Sequence, residues 1–166
     1  MNLFVIGTDH TVQQAEKGFE GLLRGLIERE FFEPLKAIAE EYADNIGTSI
    51  CQRLAGERGL LWYNLDMTSE EKRAVGILAE QLGRPMMFQE SVAVRLPSDD
   101  VREDPWAKKL SSSAPGTTLA VCGYLHFESL VQKLRAAGHI VDKRVYLETV
   151  PEIRAISSLD SPSVPG

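Results

Sequence analysis

Two of the three histidines in this chain follow a glycine at the same spacing, and the same kind of segment precedes each glycine. Residues 3–10 read LFVIGTDH and residues 119–126 read LAVCGYLH, so each copy has four apolar residues, a glycine, two further residues and a histidine. Imidazole titrates close to neutral pH and binds metal ions, which suits His10 and His126 to proton transfer or metal binding. The sequence therefore predicts that these two histidines form a chemical centre.

Carboxylates near the two motifs are the partners that such chemistry needs. Asp9 and Glu128 stand beside the motif histidines, and Glu40 and Glu41 follow an apolar segment. Two neutral imidazoles with one or two carboxylates make a reasonable site for a divalent metal ion. Without a metal, the same groups supply a general base and an acid that orients it. The residue types leave both alternatives open.

Each of these polar groups also has a structural interpretation. The pair Glu40–Glu41 is more typical of a solvated helix face, and Arg102–Glu103 is typical of an exposed charged turn. The third histidine, His139, directly follows a glycine and lacks the Gly-x-x-His context. We interpret it as structural.

The elements that must position the histidines can be predicted from the apolar pattern. The run before each motif glycine predicts a strand of a parallel sheet, because such strands are buried on both faces. A histidine just past such a strand lies in the crevice where open α/β sheets bind ligands. Alternating strands and helices predict a three-layer α/β fold with a mostly parallel central sheet flanked by helices. The predicted strands cover residues 3–6, 60–65, 118–123 and 141–147, the last at an edge; the predicted helices cover about 19–31, 69–82 and 127–137, with a short helix opening at 102–106.

The segment that follows Pro34 has two interpretations. Apolar residues continue at helical spacing, which favours one long helix from residue 35 to about residue 56. Alternatively, residues 35–39 form a short second strand and a helix begins near Ala43. In both cases Gly56 and Gly59 end the helix.

Length and composition indicate one globular domain. The chain has 166 residues, of which 43% are hydrophobic and 25% charged, and this is enough for a full core. We predict a single α/β domain over residues 1–150 and a mobile C-terminal tail over residues 151–166, where turn-forming residues dominate. The two cysteines lack the spacing of a disulfide framework or a zinc ribbon.

The charge and hydropathy of the sequence indicate which classes of partner the protein binds. A net charge of −6 speaks against nucleic acid, because no basic stripe is available to neutralise phosphates. No segment approaches a membrane span, and the first apolar run is too short for a signal peptide. We therefore expect a cytoplasmic protein that acts on a small molecule or a peptide, with a homodimer as an open alternative.

The paired Gly-x-x-His motifs resemble those of the superfamily that joins TraB pheromone-shutdown proteins, Tiki proteases, erythromycin esterases and ChaN-like haem-binding lipoproteins. The residues that carry this resemblance are Gly7, His10, Gly123 and His126. In order and polarity, the resemblance extends roughly over residues 3–147. It implies the same three-layer α/β fold.

The resemblance also implies two further site residues. The superfamily's glutamate at the end of the second strand falls on Glu40 or Glu41, and we prefer Glu41. Its arginine falls on Arg102, with Arg95 as the alternative.

Metal-dependent peptide hydrolysis, ester hydrolysis and haem binding all occur in this superfamily, so fold-level resemblance does not select the reaction. The leading hypothesis is a small hydrolase in which His10, Glu41 and His126 bind a divalent metal ion, the version that we prefer, or activate water directly. Arg102 would then stabilise a developing oxyanion. The alternatives are a non-catalytic ligand-binding or regulatory module with a vestigial site and a structural protein.

Overall fold

The structure is a computed structural model that describes residues 2–29, 33–42, 47–77, 92–112, 116–148 and 152–155. The strands are β1 (Asn2–Thr8), β2 (Leu35–Glu40), β3 (Leu61–Asn64), β4 (Val92–Arg95), β5 (Thr117–Gly123), β6 (Ile140–Tyr146) and β7 (Glu152–Ala155). The helices are α1 (Val12–Ala15), α2 (Lys17–Ile27), α3 (Ile50–Arg58), α4 (Ser69–Ala74), α5 (Pro97–Ser111) and α6 (Tyr124–Ala136).

Five strands form one parallel sheet in the order β3-β2-β5-β1-β6. Helices α2 and α3 pack on one face, where Phe19 and Leu54 belong to the same buried cluster as Ile38 of the sheet. Helices α5 and α6 pack on the other face, where Trp106 and Phe127 complete the second cluster. The predicted three-layer α/β fold with a mostly parallel sheet is confirmed.

The two motif strands are neighbours in the centre of this sheet. β1 and β5 pair in parallel, with Gly7 opposite Cys122 and Thr8 opposite Gly123. Both strands therefore end at the same edge of the sheet. The connections that follow them lie on opposite faces: α1 and α2 follow β1 on one face, and α6 follows β5 on the other. Neighbouring strands whose connections diverge in this way leave a crevice at their carboxyl ends.

The segment after Pro34 is a strand, so the prediction of one long helix is wrong. β2 lies between β3 and β5, and its residues 37–40 are all buried. A central strand needs apolar residues on both faces, which produced a pattern compatible with helical spacing. The helix that follows begins at Ile50, with the Ser49 side chain accepting a hydrogen bond from the Gln52 amide. It ends at Gly59, whose φ of 64° lies in the left-handed region.

Several helix boundaries differ from the prediction, including that of α2, which ends at Ile27 and not near residue 31. α5 begins at Pro97 and continues for 15 residues, whereas we predicted a short helix opening at Arg102. Its early start is favoured by a proline in the first turn and by Asp99, whose side chain accepts a hydrogen bond from the Leu96 amide. α4 ends at Ala74, before the predicted residue 82, because Gly76 has a φ of 78°. α6 begins three residues earlier than predicted, at Tyr124.

The remaining elements lie outside the centre of the sheet. Among the described strands, β6 pairs with β1 alone, as predicted for an edge strand. β4 and β7 form a separate parallel pair, which no apolar pattern in the sequence had predicted. Of the predicted tail, residues 152–155 belong to this pair, whereas residue 151 and residues 156–166 are outside the described part. Within the described ranges, no helix combines the length and the apolar character that crossing a membrane requires.

Candidate functional site

The crevice at the carboxyl ends of β1, β2 and β5 brings four predicted site residues together. His10 follows β1, Glu41 follows β2, His126 lies in the first turn of α6, and Arg102 reaches in from α5. The Glu41 carboxylate is their common neighbour. Its Oε2 lies 3.5 Å from Nε2 of His10, and its Oε1 lies 3.5 Å from Nε2 of His126 and 2.5 Å from Nη2 of Arg102.

Glu41 is a buried anion surrounded by donors. Its side chain is 3% exposed, and its Oε2 accepts a hydrogen bond of 2.8 Å from the backbone N–H of Gly123, at the start of α6. Burial acts to raise the pKa of this carboxyl, but the positive charges of His10 and Arg102 beside it act in the other direction, and the pKa lies well below its usual range. Glu41 is therefore ionised at neutral pH.

His10 is the solvent-facing member of the site, since 46% of its side chain is exposed. Its Nδ1 lies 2.8 Å from Oε1 of Gln13, and the Gln13 amide nitrogen donates to the backbone carbonyl of Glu41 at 3.2 Å. An amide oxygen accepts only, so Nδ1 carries a proton and Nε2 faces Glu41. The negative charge of Glu41 raises the pKa of His10 from 6.5 to about 9, against the opposing effect of burial.

This shift predicts how stability depends on pH. Because folding raises the pKa of His10, the stabilisation is fully present below pH 6.5 and is lost as the pH rises through about 9. The free energy of unfolding of the wild type should therefore fall across this window. Half-exposure of the ring screens the effect, so the fall should be smaller than the pKa shift alone implies.

Urea titrations between pH 6 and pH 10 measure this dependence. A His10→Asn variant should show a shallower fall than the wild type, and the difference between the two proteins removes the contribution of every other titrating group. Parallel curves for the two proteins would show that His10 has an ordinary pKa.

Arg102 is fixed by acceptors on several sides. Besides Glu41, its Nη2 and Nε donate to Oδ1 of Asp66 at 3.0 and 3.3 Å, and its Nη1 lies 3.2 Å from Nε2 of His126. The guanidinium carbon lies 5.1 Å from the ring centroid of Trp106, within cation–π range. The positive charge is thus held in one place beside Glu41.

His126 is buried, with a side chain 5% exposed, and both of its ring nitrogens have partners. Nδ1 lies 2.9 Å from Oε1 of Glu103, and Nε2 faces Arg102. The ring of Trp106 packs against the imidazole edge-on, with centroids 4.8 Å apart. The two motif histidines therefore occupy different environments, one facing solvent and one enclosed.

Several sequence candidates lie away from the crevice. Glu40 is fully buried beside Ser49 and Trp62, whose indole N–H donates to Glu40 Oε1 at 2.6 Å. Alternation along β2 turns its side chain away from Glu41, which agrees with our preference for Glu41. Arg95, the alternative arginine, contacts Glu103 behind His126.

Three other polar candidates are surface residues. Asp9 accepts a hydrogen bond from the Thr11 amide, which is a local turn contact. Glu128 pairs with Lys143 on the exposed side of α6. His139 contacts Ser111 at the surface, in keeping with its structural interpretation.

Sequence reasoning missed two residues that complete the site. Gln13 stands three residues after His10, a spacing that brings the two side chains together in a helical turn. Asp66 follows β3 at the same sheet edge. In the sequence it precedes a predicted helix, so we interpreted it as a residue of the helix start and not as a member of the site. A carboxylate just past a predicted parallel strand was the available signal.

The donors of the crevice do not favour a metal ion as they stand. Both oxygens of Glu41 accept hydrogen bonds, from Arg102 and Gly123, and the same guanidinium faces Nε2 of His126. A divalent cation between these ligands would meet the positive charge of Arg102. Among the residues that the structure describes, no group of three or more His, Cys, Asp or Glu side chains is arranged to hold a metal ion. Metal binding stays a prediction, which the experiment below tests.

No protein-family model, curated protein or solved structure matches this chain. The function is therefore argued from the chemistry of the crevice. It offers a solvent-facing imidazole, a buried carboxylate beside that imidazole, and a fixed guanidinium on the other oxygen of the same carboxylate.

Proposed function

We propose that this chain is a small cytoplasmic hydrolase of the TraB, Tiki and erythromycin esterase type, acting on an ester or peptide bond without a metal ion. One observation carries the proposal: Glu41 has a half-exposed imidazole at one oxygen and a fixed guanidinium at the other. A base and a positive charge beside one another are the two groups that carbonyl hydrolysis requires.

His10 acts as the general base in this reaction. Its Nδ1–H is directed to Gln13, so the neutral ring presents the lone pair of Nε2 to a water molecule. As the water oxygen bonds to the carbonyl carbon, its proton passes to Nε2, and the imidazolium then gives a proton to the leaving group. The neighbouring Glu41 carboxylate stabilises that imidazolium. General-base assistance of this kind contributes about 10²–10⁴-fold.

Arg102 stabilises the charge that develops on the carbonyl oxygen. Its side chain is 14% exposed, and its orientation is fixed by acceptors on Glu41, Asp66 and His126. A charge that is already oriented needs no reorganisation during the reaction, which is why such groups lower the barrier effectively.

The raised pKa of His10 also favours a second candidate function. Because that pKa is about 9, the ring is mostly protonated at neutral pH, and a protonated solvent-facing imidazole is suited to an anionic ligand. A binding or regulatory module would use the same crevice without turnover. Hydrolysis and binding therefore differ in whether His10 loses its proton in the working state.

Assays on protein purified without a histidine tag test the proposal. A panel of aryl esters and short peptides should reveal hydrolysis that survives EDTA and increases with pH up to about 9. A His10→Asn variant should lower kcat/KM by about 100-fold or more. His139→Asn is the matched control, because that histidine is only half-buried and bonds to Ser111 outside the crevice, and it should behave as the wild type.

Three results would contradict the proposal. Absence of hydrolysis across the panel, together with binding of a carboxylate ligand, would support the binding module. Loss of activity in EDTA that zinc restores would show that the metal-dependent alternative is correct. An unchanged kcat/KM in His10→Asn would remove His10 from the reaction.

A further inference from the structure

Behind His126 lies a second buried carboxylate that the proposed reaction does not use. The Glu103 side chain is fully buried, and Arg95 donates a hydrogen bond to each of its oxygens. Nη1 lies 2.6 Å from Oε1, and Nη2 lies 2.8 Å from Oε2. Ser129 donates a further hydrogen bond of 2.6 Å to Oε2. The third partner is His126, whose Nδ1 lies 2.9 Å from Oε1.

These contacts keep Glu103 ionised. Burial acts to raise the pKa of Glu103, but hydrogen bonds from His126, Arg95 and Ser129 outweigh it, and the pKa lies below its usual value. An ionised carboxylate only accepts hydrogen bonds, so Nδ1 of His126 must carry a proton.

The other nitrogen of the same ring is constrained by Arg102. Nη1 of Arg102 lies 3.2 Å from Nε2 of His126, and a guanidinium only donates. Two carboxylate oxygens lie farther from Nε2, Oε1 of Glu41 at 3.5 Å and Oδ1 of Asp99 at 3.9 Å, so the shortest contact of Nε2 is with the donor Arg102, which favours Nε2 as the acceptor. The two contacts together select one tautomer of a neutral imidazole, with the proton on Nδ1 and the lone pair on Nε2.

We propose that Glu103, held in place by two hydrogen bonds from Arg95, is a positioning residue that fixes this tautomer of His126. The fixed tautomer in turn sets the orientation of the Arg102 guanidinium. The hydrogen bonds run in one direction, from His126 to Glu103 and from Arg102 to His126. The importance of this chain for catalysis rests on the proposed function, whereas the tautomer itself does not.

A purely structural ion pair would not need this arrangement. Arg95 and Glu103 already satisfy each other through two hydrogen bonds, and a second partner for Glu103 on α6 is supplied by Ser129. The contact to His126 adds an effect on the crevice, because it decides which ring nitrogen faces Arg102. If the ring carried its proton on Nε2, Arg102 would lose one of its acceptors and meet a donor in its place.

NMR of ¹⁵N-histidine-labelled protein at neutral pH reads the tautomer directly, because protonated and bare ring nitrogens have distinct shifts. The His126 signals are assigned by their loss in His126→Gln. The wild type should show a protonated Nδ1 and a bare Nε2. In Glu103→Gln the charge-assisted hydrogen bond is lost, and the ratio of the two tautomers should change by about tenfold or more.

Asp104→Asn is the matched control, since Asp104 is the adjacent residue of α5, is exposed and pairs with Lys133 at the surface. It should leave the His126 signals unchanged. If turnover is found, Glu103→Gln should lower kcat with little change in KM. The contacts that bind substrate persist in this variant, whereas the Arg102 guanidinium loses its fixed orientation.

The wild-type spectrum comes first, because it needs no variant. A protonated Nε2 on His126, or a doubly protonated ring, would overturn the proposal. Should Glu103→Gln fail to fold, Arg95→Gln/Glu103→Gln removes both buried charges together, which is tolerated better than one alone. An unchanged tautomer ratio in either folded variant would equally overturn it. None of these readouts needs turnover, so absence of hydrolysis would count against the proposed function only.

Discussion

In a Glu41→Gln variant, the pKa of His10 is expected to fall from about 9 towards the ordinary value of 6.5. The charge of Glu41 is the largest cause of the raised pKa, and glutamine keeps the shape of the side chain while removing that charge. A fall of this size changes the acid dissociation constant by roughly 100-fold or more. Titration of the His10 ring by NMR measures it, since the half-exposed ring is open to solvent exchange.

Asp9→Asn provides the control for this titration. Asp9 is the carboxylate next to His10 in sequence, but its side chain is bound to the Thr11 amide. Its replacement should leave the pKa of His10 close to 9. Equal shifts in the two variants would mean that the pKa of His10 depends on the overall surface charge rather than on the contact with Glu41.

The two motif glycines are expected to respond to alanine in opposite ways. At Gly123, an added Cβ would lie 2.8 Å from Nε2 of His10 and 3.1 Å from Oε2 of Glu41. The His10 ring faces solvent and can swing aside, so Gly123→Ala should cost little stability but displace the base. A misplacement of about 1 Å can lower activity by about 100-fold.

Gly7 has no such freedom in its surroundings. A Cβ there would lie 2.6 Å from Cγ of Phe127, which is buried in the core between the sheet and α6. Gly7→Ala should destabilise the fold by about 1–3 kcal/mol, as overpacked cores do. Thermal unfolding and kcat/KM of the two variants separate these roles. A stable Gly7→Ala, or a fully active Gly123→Ala, would contradict this division.

Much of the fold could be predicted from local apolar patterns. The matching runs before Gly7 and Gly123 predicted two parallel strands, adjacent or one strand apart, and the two strands are adjacent. The resemblance, rather than the pattern, favoured a strand at residues 35–39, because a short central strand and a helix can share the same apolar spacing.

The candidate site could be predicted only in part. His10, Glu41, His126 and Arg102 meet in the crevice, whereas the partners that orient them were missing from the sequence analysis or left without a role. Gln13, Asp66 and Glu103 are ordinary polar residues in the sequence, and their importance arises from contacts across 3 to 36 positions. Such contacts depend on how α5 and the loops pack, which no local pattern encodes.

The central place of β1 has a consequence for how the chain folds. The two strands that pair with β1 begin at Thr117 and Ile140. β1 therefore cannot pair until residues more than a hundred positions later in the sequence are present. Contacts of this range impose a large loop-closure entropy and slow folding. During synthesis β1 emerges before both of these partners and stays unpaired until they have left the ribosome. An apolar strand in that state is exposed to misassembly, and chaperones would find their binding segment there.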